Sequence, residues 1–280
     1  MMPDWPPGPF LIRMSTSLST FTPFNRVKEC RHGTMVYNVN DIYIGRCLDL
    51  YGEFSEGEVE LFRQLLLPGM VAVEVGANIG GHTVFLAQAV WPGGHVWAFE
   101  PQRIVFQTLC ANLAINSIPN VAARNLAVGN APGNIVVPVL DCGKENNFGG
   151  LELGQHTAGE SVAVITLDSL NLARCDFLKI DVEGMEKPVI EGATATIARC
   201  HPLMYVENDR QDKSADLIRT IDALGYAMYW HRPYLFQPNN FAGNNDNVFG
   251  NIVSFNMLCL PRTNTNFKLE HFEPVVVPPA

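Results

Sequence analysis

The chain has 280 residues, of which 47% are hydrophobic and 17% charged, enough apolar material for a sizeable core and against wholesale disorder. With 19 Lys and Arg against 28 Asp and Glu the net charge is −9, which argues against a nucleic-acid backbone as a partner, although Arg26, Lys28, Arg31 and His32 lie close together. No apolar run approaches the roughly 18 residues of a membrane span, the N-terminal Met-Met-Pro-Asp-Trp-Pro-Pro-Gly-Pro lacks a secretory pattern, and the 7 scattered cysteines include no C-x-x-C, so a cytoplasmic protein with reduced thiols is expected.

Residues 1–25, rich in Pro, Ser and Thr, read as an irregular arm. Met35–Val39 and Asp41–Ile44 flank Asn40 and carry β-branched and aromatic residues, the pattern of a small hairpin. Ser55–Leu67 reads as a helix. Ser55 and Glu58 have capping-box spacing, Leu61, Phe62 and Leu65 share one face, and Pro68-Gly69 stops it. Strand and helix then alternate. Strand Val71–Val75 leads through a glycine-rich turn to helix Gly81–Val90. Strand His95–Phe99, helix Arg103–Asn116 and strand Val121–Leu126 follow, and 127–162 is less regular, with room for extra strands. Strand Phe177–Ile180, helix Glu186–Arg199, strand Leu203–Val206 and helix Asp212–Leu224 continue the pattern. Tyr226–Trp230 and Ile252–Leu260 are late strands. The alternation predicts an α/β fold: a doubly wound, mostly parallel Rossmann-like sheet with helices on both faces and a small N-terminal β-hairpin. Residues 1–54 are expected to form an arm and hairpin cap, and 55–280 the cofactor-binding domain. Ligands of such sheets lie beyond the carboxyl ends of the strands.

The segment Val73-Glu-Val-Gly-Ala-Asn-Ile-Gly-Gly-His-Thr83 runs from a strand through a glycine turn into a helix. Gly76 permits a tight turn, Gly80 and Gly81 allow close backbone approach, and the helix start favours an anionic group. A dinucleotide fingerprint would need glycine where Asn78 stands. Glu74, beside the turn, would repel a pyrophosphate but suits a ligand with an ammonium group, such as S-adenosyl-L-methionine. Glu100, in Phe99-Glu-Pro101, follows the next strand at the distance where an acid holds a ribose hydroxyl, and Gln102 is placed to touch the adenine.

Glu74-Val-Gly-Ala-Asn-Ile-Gly80, Phe99-Glu-Pro101 and Phe177-Leu-Lys-Ile-Asp-Val-Glu-Gly184 together resemble the FkbM-type S-adenosylmethionine-dependent methyltransferases over about residues 50–210. Glu74 stands where the family usually has Asp. The resemblance implies a Rossmann-like methyltransferase sheet and methylation of a hydroxyl oxygen, often on sugars, glycolipids or polyketides. It also implies a lid over the methionine end of the cofactor in the segment Tyr51, Gly52, Glu53 and Ser55. Ala127 and Val128, after the third core strand, are expected along the adenine pocket. The cofactor set is then Tyr51, Ser55, Glu74, Gly76, Asn78, Gly80, Thr83, Glu100, Pro101, Gln102, Ala127 and Asp181.

Methyl transfer from a sulfonium needs alignment and a group that takes the acceptor's proton. Asp181 and Glu183 follow the fourth core strand, and Glu207, Asn208 and Asp209 the fifth. Asp181 is the first candidate for catalysis, with an ion pair to Lys179 as the structural alternative. Glu207 and His231, the latter ending a later strand, are the other two. Asp181, Glu207 and Asn208 have the oxygen chemistry to hold Mg²⁺ or another hard divalent cation. His82 reads as a helix-face residue. The asparagine-rich stretch Gln237–Asn251, with Trp230, Tyr234, Phe241 and Phe249, is a candidate surface for a polyhydroxylated acceptor.

The expected function is an S-adenosylmethionine-dependent O-methyltransferase acting on a hydroxyl of a sugar, glycoside or related secondary metabolite. Its acceptor is a small molecule or glycan, with neither a nucleic acid nor a membrane span involved. Val275–Val277 offers an edge for a homo-oligomer. The alternatives are a nicotinamide-dependent oxidoreductase and a non-catalytic binding protein that keeps the fold.

Overall fold

The computed structural model describes residues 23–154, 156–264 and 271–279. The irregular arm expected over 1–25 falls almost wholly outside them. The described residues begin with an antiparallel hairpin, β1 (Asn25–Cys30) and β2 (Gly33–Asn38). The hairpin is there, but one strand earlier than the sequence pattern suggests. Asp41 is the reason. Its carboxylate accepts from the Tyr43 amide at 3.0 Å, and this Asx turn leads into α1 (Ile44–Tyr51) instead of a second strand. In α2 (Glu56–Leu65) the expected capping box does not form. Ser55 sits in the left-handed region at φ 47° and makes no side-chain cap; its hydroxyl donates to the Glu58 side chain.

The centre is an eight-stranded sheet. β3 (Val71–Val75), β4 (His95–Phe99), β5 (Val121–Arg124), β9 (Phe177–Ile180) and β10 (Leu203–Glu207) run parallel in the spatial order β5-β4-β3-β9-β10. β12 (Asn256–Pro261) is antiparallel to β10 and to β11 (Tyr226–His231), and the short β13 (Glu273–Pro274) closes the edge beside β11. Three short strands, β6 (Ala127–Val128), β7 (Gly133–Val137) and β8 (Glu160–Ile165), form a separate small sheet. The segment Val275–Val277, considered for pairing between chains, instead begins with a Val275 amide that donates to the Met228 carbonyl.

Both faces of the sheet are covered, which explains why its inner strands are apolar runs. Val73, Val75, Leu178, Ile180, Met204 and Val206 face a core shared with α5 (Glu186–Glu191), α6 (Thr194–Cys200) and α7 (Gln211–Ala223). The single helix expected over 186–199 breaks at Gly192, whose own Cβ would stand 2.0 Å from the Gly129 carbonyl oxygen. Ala72, Phe177 and Tyr205 face the other way, toward α2 and α3 (Thr83–Val90). With a period of two along a strand, Glu74 and Lys179 belong to this second face. The hairpin rests on α4 (Arg103–Ile115). The Asn112 side chain accepts from the Val36 amide at 2.6 Å and donates to the Val36 carbonyl at 3.0 Å, while also donating to Ile79 in the glycine loop.

One close approach fixes the sheet's active end. Gly76 has φ +86°, and a Cβ built on it would lie 1.7 Å from the Asp181 carbonyl oxygen. Both the conformation and the contact therefore demand glycine. Gly76→Ala is expected to destabilise the protein by roughly 3 kcal/mol or more in urea unfolding. At the far side of the sheet, the Tyr205 hydroxyl lies 2.8 Å from Nδ1 of His231. Burial pushes the His231 pKa down to about 4. The folded state holds the neutral ring while the unfolded chain protonates near 6.5, so this contribution is complete above about pH 6.5 and lost as pH falls toward 4. Urea midpoints at pH 7.5 and pH 5 are expected to fall further apart in the wild type than in His231→Phe.

Candidate active site

The carboxyl ends of β3, β4, β9 and β10 open on one cavity of about 460 Å³, within the range of small-molecule sites. Glu74, Gly76, Asn78, Glu100, Pro101, Gln102, Asp181 and Glu207 all line it. The structure thus brings together eight of the residues expected from sequence.

The first wall is the glycine loop. Its turn is held by Phe99, whose carbonyl accepts from the Gly76 and Ala77 amides at 3.0 and 2.9 Å. Asn78 adopts φ 50°, a region that asparagine tolerates, and its amide donates to Oε2 of Glu100 at 2.9 Å. The Gln102 amide donates to the other carboxylate oxygen at 2.8 Å. Glu100 is thus oriented by two backbone amides from two different strand ends. Burial pushes its pKa up to about 7, against those hydrogen bonds. The Gln102 side chain donates to the Phe148 carbonyl at 2.7 Å, tying in a loop, Asn147–Leu153, that forms part of the opposite wall.

A buried ammonium organises the second wall. Lys179 is 2% exposed, and its Nζ lies 2.8 Å from Oδ2 of Asp181 and 3.9 Å from Oε1 of Glu74. Burial opposes its charge, but Asp181, Glu74 and Glu58 outweigh burial and raise its pKa above the ordinary value. Glu74 receives a hydrogen bond from the Thr83 hydroxyl at 2.6 Å. Burial still raises the Glu74 pKa to about 7, with Lys179 pulling the other way. The ion pair weighed as an alternative for Asp181 is therefore present, and it points the Asp181 carboxylate from a fixed anchor on the cavity wall.

Acids crowd the third wall. Asp181, Glu183 and Glu207 bring carboxylate oxygens within 4.8 Å of one another. Glu183 pairs with Arg210, which also holds Asp209 at 2.9 Å. Oε2 of Glu207 is buried and has no hydrogen-bond partner among the described residues. Burial, and then the charges of Asp181 and Glu183, raise the Glu207 pKa well above the carboxylate range.

Other expected positions lie elsewhere. Tyr51 is not on the cavity wall: its hydroxyl donates to the Asp246 carbonyl at 2.7 Å and accepts from the Val248 amide at 3.0 Å, and its ring packs on Phe236 and Phe249. Ser55 is buried behind the wall, with its hydroxyl on Glu58. Thr83 steadies Glu74 from the start of α3 and does not reach the cavity wall. Gly80 packs against α4, where a Cβ would lie 2.7 Å from Leu109. Ala127 is withdrawn into the small sheet, paired with Val164, because the chain leaves the main sheet at Arg124. Asn208 is turned from the acids: its amide nitrogen contacts Sδ of Met257 at 3.3 Å. His231 is held by Tyr205 and is not on the cavity wall.

In the asparagine-rich stretch the side chains bond within the loop itself. Asn240 donates to the Gln237 and Asn244 carbonyls at 2.9 and 2.7 Å, and Asn247 to Gly250 at 2.8 Å. Its side chains build the loop. Phe249 packs under it on Tyr43 and Tyr51, and Trp230 lies beneath the Arg232 guanidinium. The cavity is met by the residues on either side, Leu235 and Ile252–Asn256.

Lys179, Glu58, Asp209, Arg210 and the Asn147–Leu153 loop were not singled out from sequence as functional. Lys179 carried a signal: a lysine inside the apolar strand Phe-Leu-Lys-Ile is fully buried only when paired.

The Methyltransferase FkbM domain matches residues 74–228, more than half of the chain. Methyltransferase 1 of Beauveria bassiana (strain ARSEF 2860) is 28% identical over 144 residues, covering 43% of this chain and 57% of that protein. Methyltransferase sdnD of Sordaria araneosa is 28% identical over 153 residues, covering 43% of this chain and 59% of that protein. The chain thus spans a little under three fifths of the length of the curated relatives it matches. Among solved structures, methyltransferase FkbM from Methylobacillus flagellatus KT is 19% identical with a TM-score of 0.47, over 68% of this chain and 43% of that one. A SAM-dependent methyltransferase from Aquifex aeolicus is 13% identical with a TM-score of 0.41, over 77% and 92%. No helix of the described residues is long and apolar enough to cross a membrane. The nicotinamide alternative gives way to the match that begins at Glu74 and runs through every strand end on the cavity: the chain belongs to the FkbM methyltransferase family.

Proposed function

We propose that the protein is an S-adenosylmethionine-dependent O-methyltransferase acting on a hydroxyl of a sugar, glycoside or related secondary metabolite. One observation carries the reading. A glycine loop, a buried acid at the next strand end and acids at two further strand ends line a single cavity. Residues 55–280 form the cofactor-binding domain in this reading, and 1–54 its cap. A cytoplasmic setting accords with seven free cysteines.

The residues fit the cofactor. Glu100, held by the Asn78 and Gln102 amides, is placed to accept from a ribose diol. Pro101 and Gln102 line the cavity where they would flank the adenine, and Gly76–Asn78 would give backbone approach along the sugar. The cofactor, when bound, supplies a methyl group on a sulfonium. The protein must align the acceptor hydroxyl and remove its proton. We assign the proton to Glu207, whose buried Oε2 has no other partner among the described residues. Asp181, anchored by Lys179, orients the hydroxyl beside it. Leu151, Leu153, Ile252 and Phe255 provide the apolar side on which the acceptor's body rests.

The donor set does not fit a resident divalent cation. Asp181 already carries the Lys179 ammonium and Glu183 the Arg210 guanidinium. Asn208, the expected third ligand, contacts Met257 instead. No step is assigned to a metal, and a chelator is expected to leave turnover unchanged.

In calorimetry and thermal unfolding, S-adenosylhomocysteine is expected to bind, with about 2.7 kcal/mol of stabilisation at a hundredfold excess over its Kd. NAD should shift nothing, and the reverse result would overturn the reading. Glu207→Gln should lower kcat by about 10²–10⁴ with cofactor affinity kept. The base must be ionised to work and its pKa is raised, so wild-type rates should climb with pH along a limb above the ordinary carboxylate range. Glu207→Gln should lack that limb.

A further inference from the structure

Two more titratable groups face the cavity without a role in the scheme above. Glu58, in the first turn of α2, and His82, the residue before α3, each line it and are each 4% exposed. Nε2 of His82 lies 3.9 Å from Oε2 of Glu58, too far for a hydrogen bond. Nε2 has no hydrogen-bond partner among the described residues. The imidazole ring is fixed all the same. It lies between Phe54 and Phe62, at ring-centroid distances of 5.4 and 5.5 Å, and donates to the Ser55 carbonyl. With the ring's one proton given to that carbonyl, Nε2 is a bare lone pair. Burial, with Lys179 nearby, lowers the His82 pKa well below its ordinary value and keeps the ring neutral. Oε1 of Glu58 is occupied by the Ser55 hydroxyl at 2.8 Å and the Asn256 amide at 3.4 Å. Oε2 is the oxygen turned to His82.

The Ser254 hydroxyl also donates to the Glu58 carboxylate. Oε2 of Glu58 and the Nε2 of His82 left unpartnered among the described residues therefore converge on one point of the cavity wall with no hydrogen between them. The group that completes them must donate at least two hydrogens. It must also suit a region where the carboxylates of Glu58, Glu74 and Asp181 surround the single ammonium of Lys179. A primary ammonium meets both conditions. Its nitrogen can stand about 2.8 Å from each acceptor, the usual separation of a charge-assisted hydrogen bond. Glu74, which the sequence pattern offers for this task, is committed to Thr83 and Lys179.

We propose that Oε2 of Glu58 and Nε2 of His82 form the recognition site for the α-ammonium group of the cofactor's amino-acid end. The assignment rests on the S-adenosyl reading of the cavity. It makes α2, outside the matched family segment, a direct contributor to cofactor selection.

The test is calorimetry on the full chain with two ligands, S-adenosylhomocysteine and its desamino analogue, in which hydrogen replaces the α-amino group. Wild type should prefer S-adenosylhomocysteine by more than about tenfold, the effect of a charge-assisted contact. Glu58→Gln and His82→Phe should each erase most of that preference while leaving the affinity for the analogue within about twofold. His82→Phe keeps an aromatic ring between Phe54 and Phe62 and serves if Glu58→Gln does not fold. Equal weakening of both ligands in the variants would mark the pair as merely structural and overturn the proposal. So would a wild type that binds both ligands equally well. A wild type that binds neither would overturn the cofactor reading itself, and the recognition site with it.

Discussion

The ammonium of Lys179 is the charge around which the active end of this protein is built. It sits on the central strand β9, between β3 and β10, on the face that also carries Glu74 and Tyr205. A lysine so deeply buried is tolerated only with partners that neutralise it. Asp181, two residues along the same strand end, and Glu74, across the strand pair, provide them. Glu74 is tied in turn to the first residue of α3. One interior charge thereby couples the end of β9, the end of β3 and the start of α3, the pieces that form the glycine loop's surroundings. The Gly76–Asp181 backbone contact holds the same two strand ends from outside the charge network.

The acids of the cavity divide by what compensates them. Asp181 and Glu74 have Lys179, and Glu183 and Asp209 have Arg210. Glu100 has two backbone amides and no cation. Glu207 Oε2 has nothing among the described residues. Compensated acids hold geometry, and uncompensated ones retain the free lone pairs that ligands and protons need. The same sorting separates His231, whose Nδ1 is taken by Tyr205, from His82, whose Nε2 is free among those residues.

The layered fold was legible because strands covered on both faces must be apolar, and five of them are short runs separated by helix-length segments. The strand-end rule pointed to Glu74, Gly76, Glu100, Asp181 and Glu207, and all five line one cavity. What sequence did not reveal depended on partners far along the chain. Tyr51 reads as a lid residue until Asp246 and Val248 are seen to take its hydroxyl. Asn208 reads as a ligand until Met257 of the neighbouring antiparallel strand comes beside it. At Asp41 a local Asx turn overrides the strand preference of the residues that follow. Glu58 looked like one half of a cap because its spacing from Ser55 is that of a cap, yet both side chains turn inward.

The loop between β11 and β12 is stitched together from within by its own asparagines and fastened from below by residues of the N-terminal segment. Glu53 accepts from the Phe241 amide at 2.7 Å, Arg31 donates to the Asn239 carbonyl at 2.8 Å, and Tyr51 holds Asp246 and Val248. None of these fasteners lines the cavity, whereas Ile252, Val253 and Phe255 do. Framework and contact surface are therefore carried by different residues of one loop. If the acceptor rests there, as proposed above, a few side chains at the mouth could be exchanged with the loop's shape inherited intact.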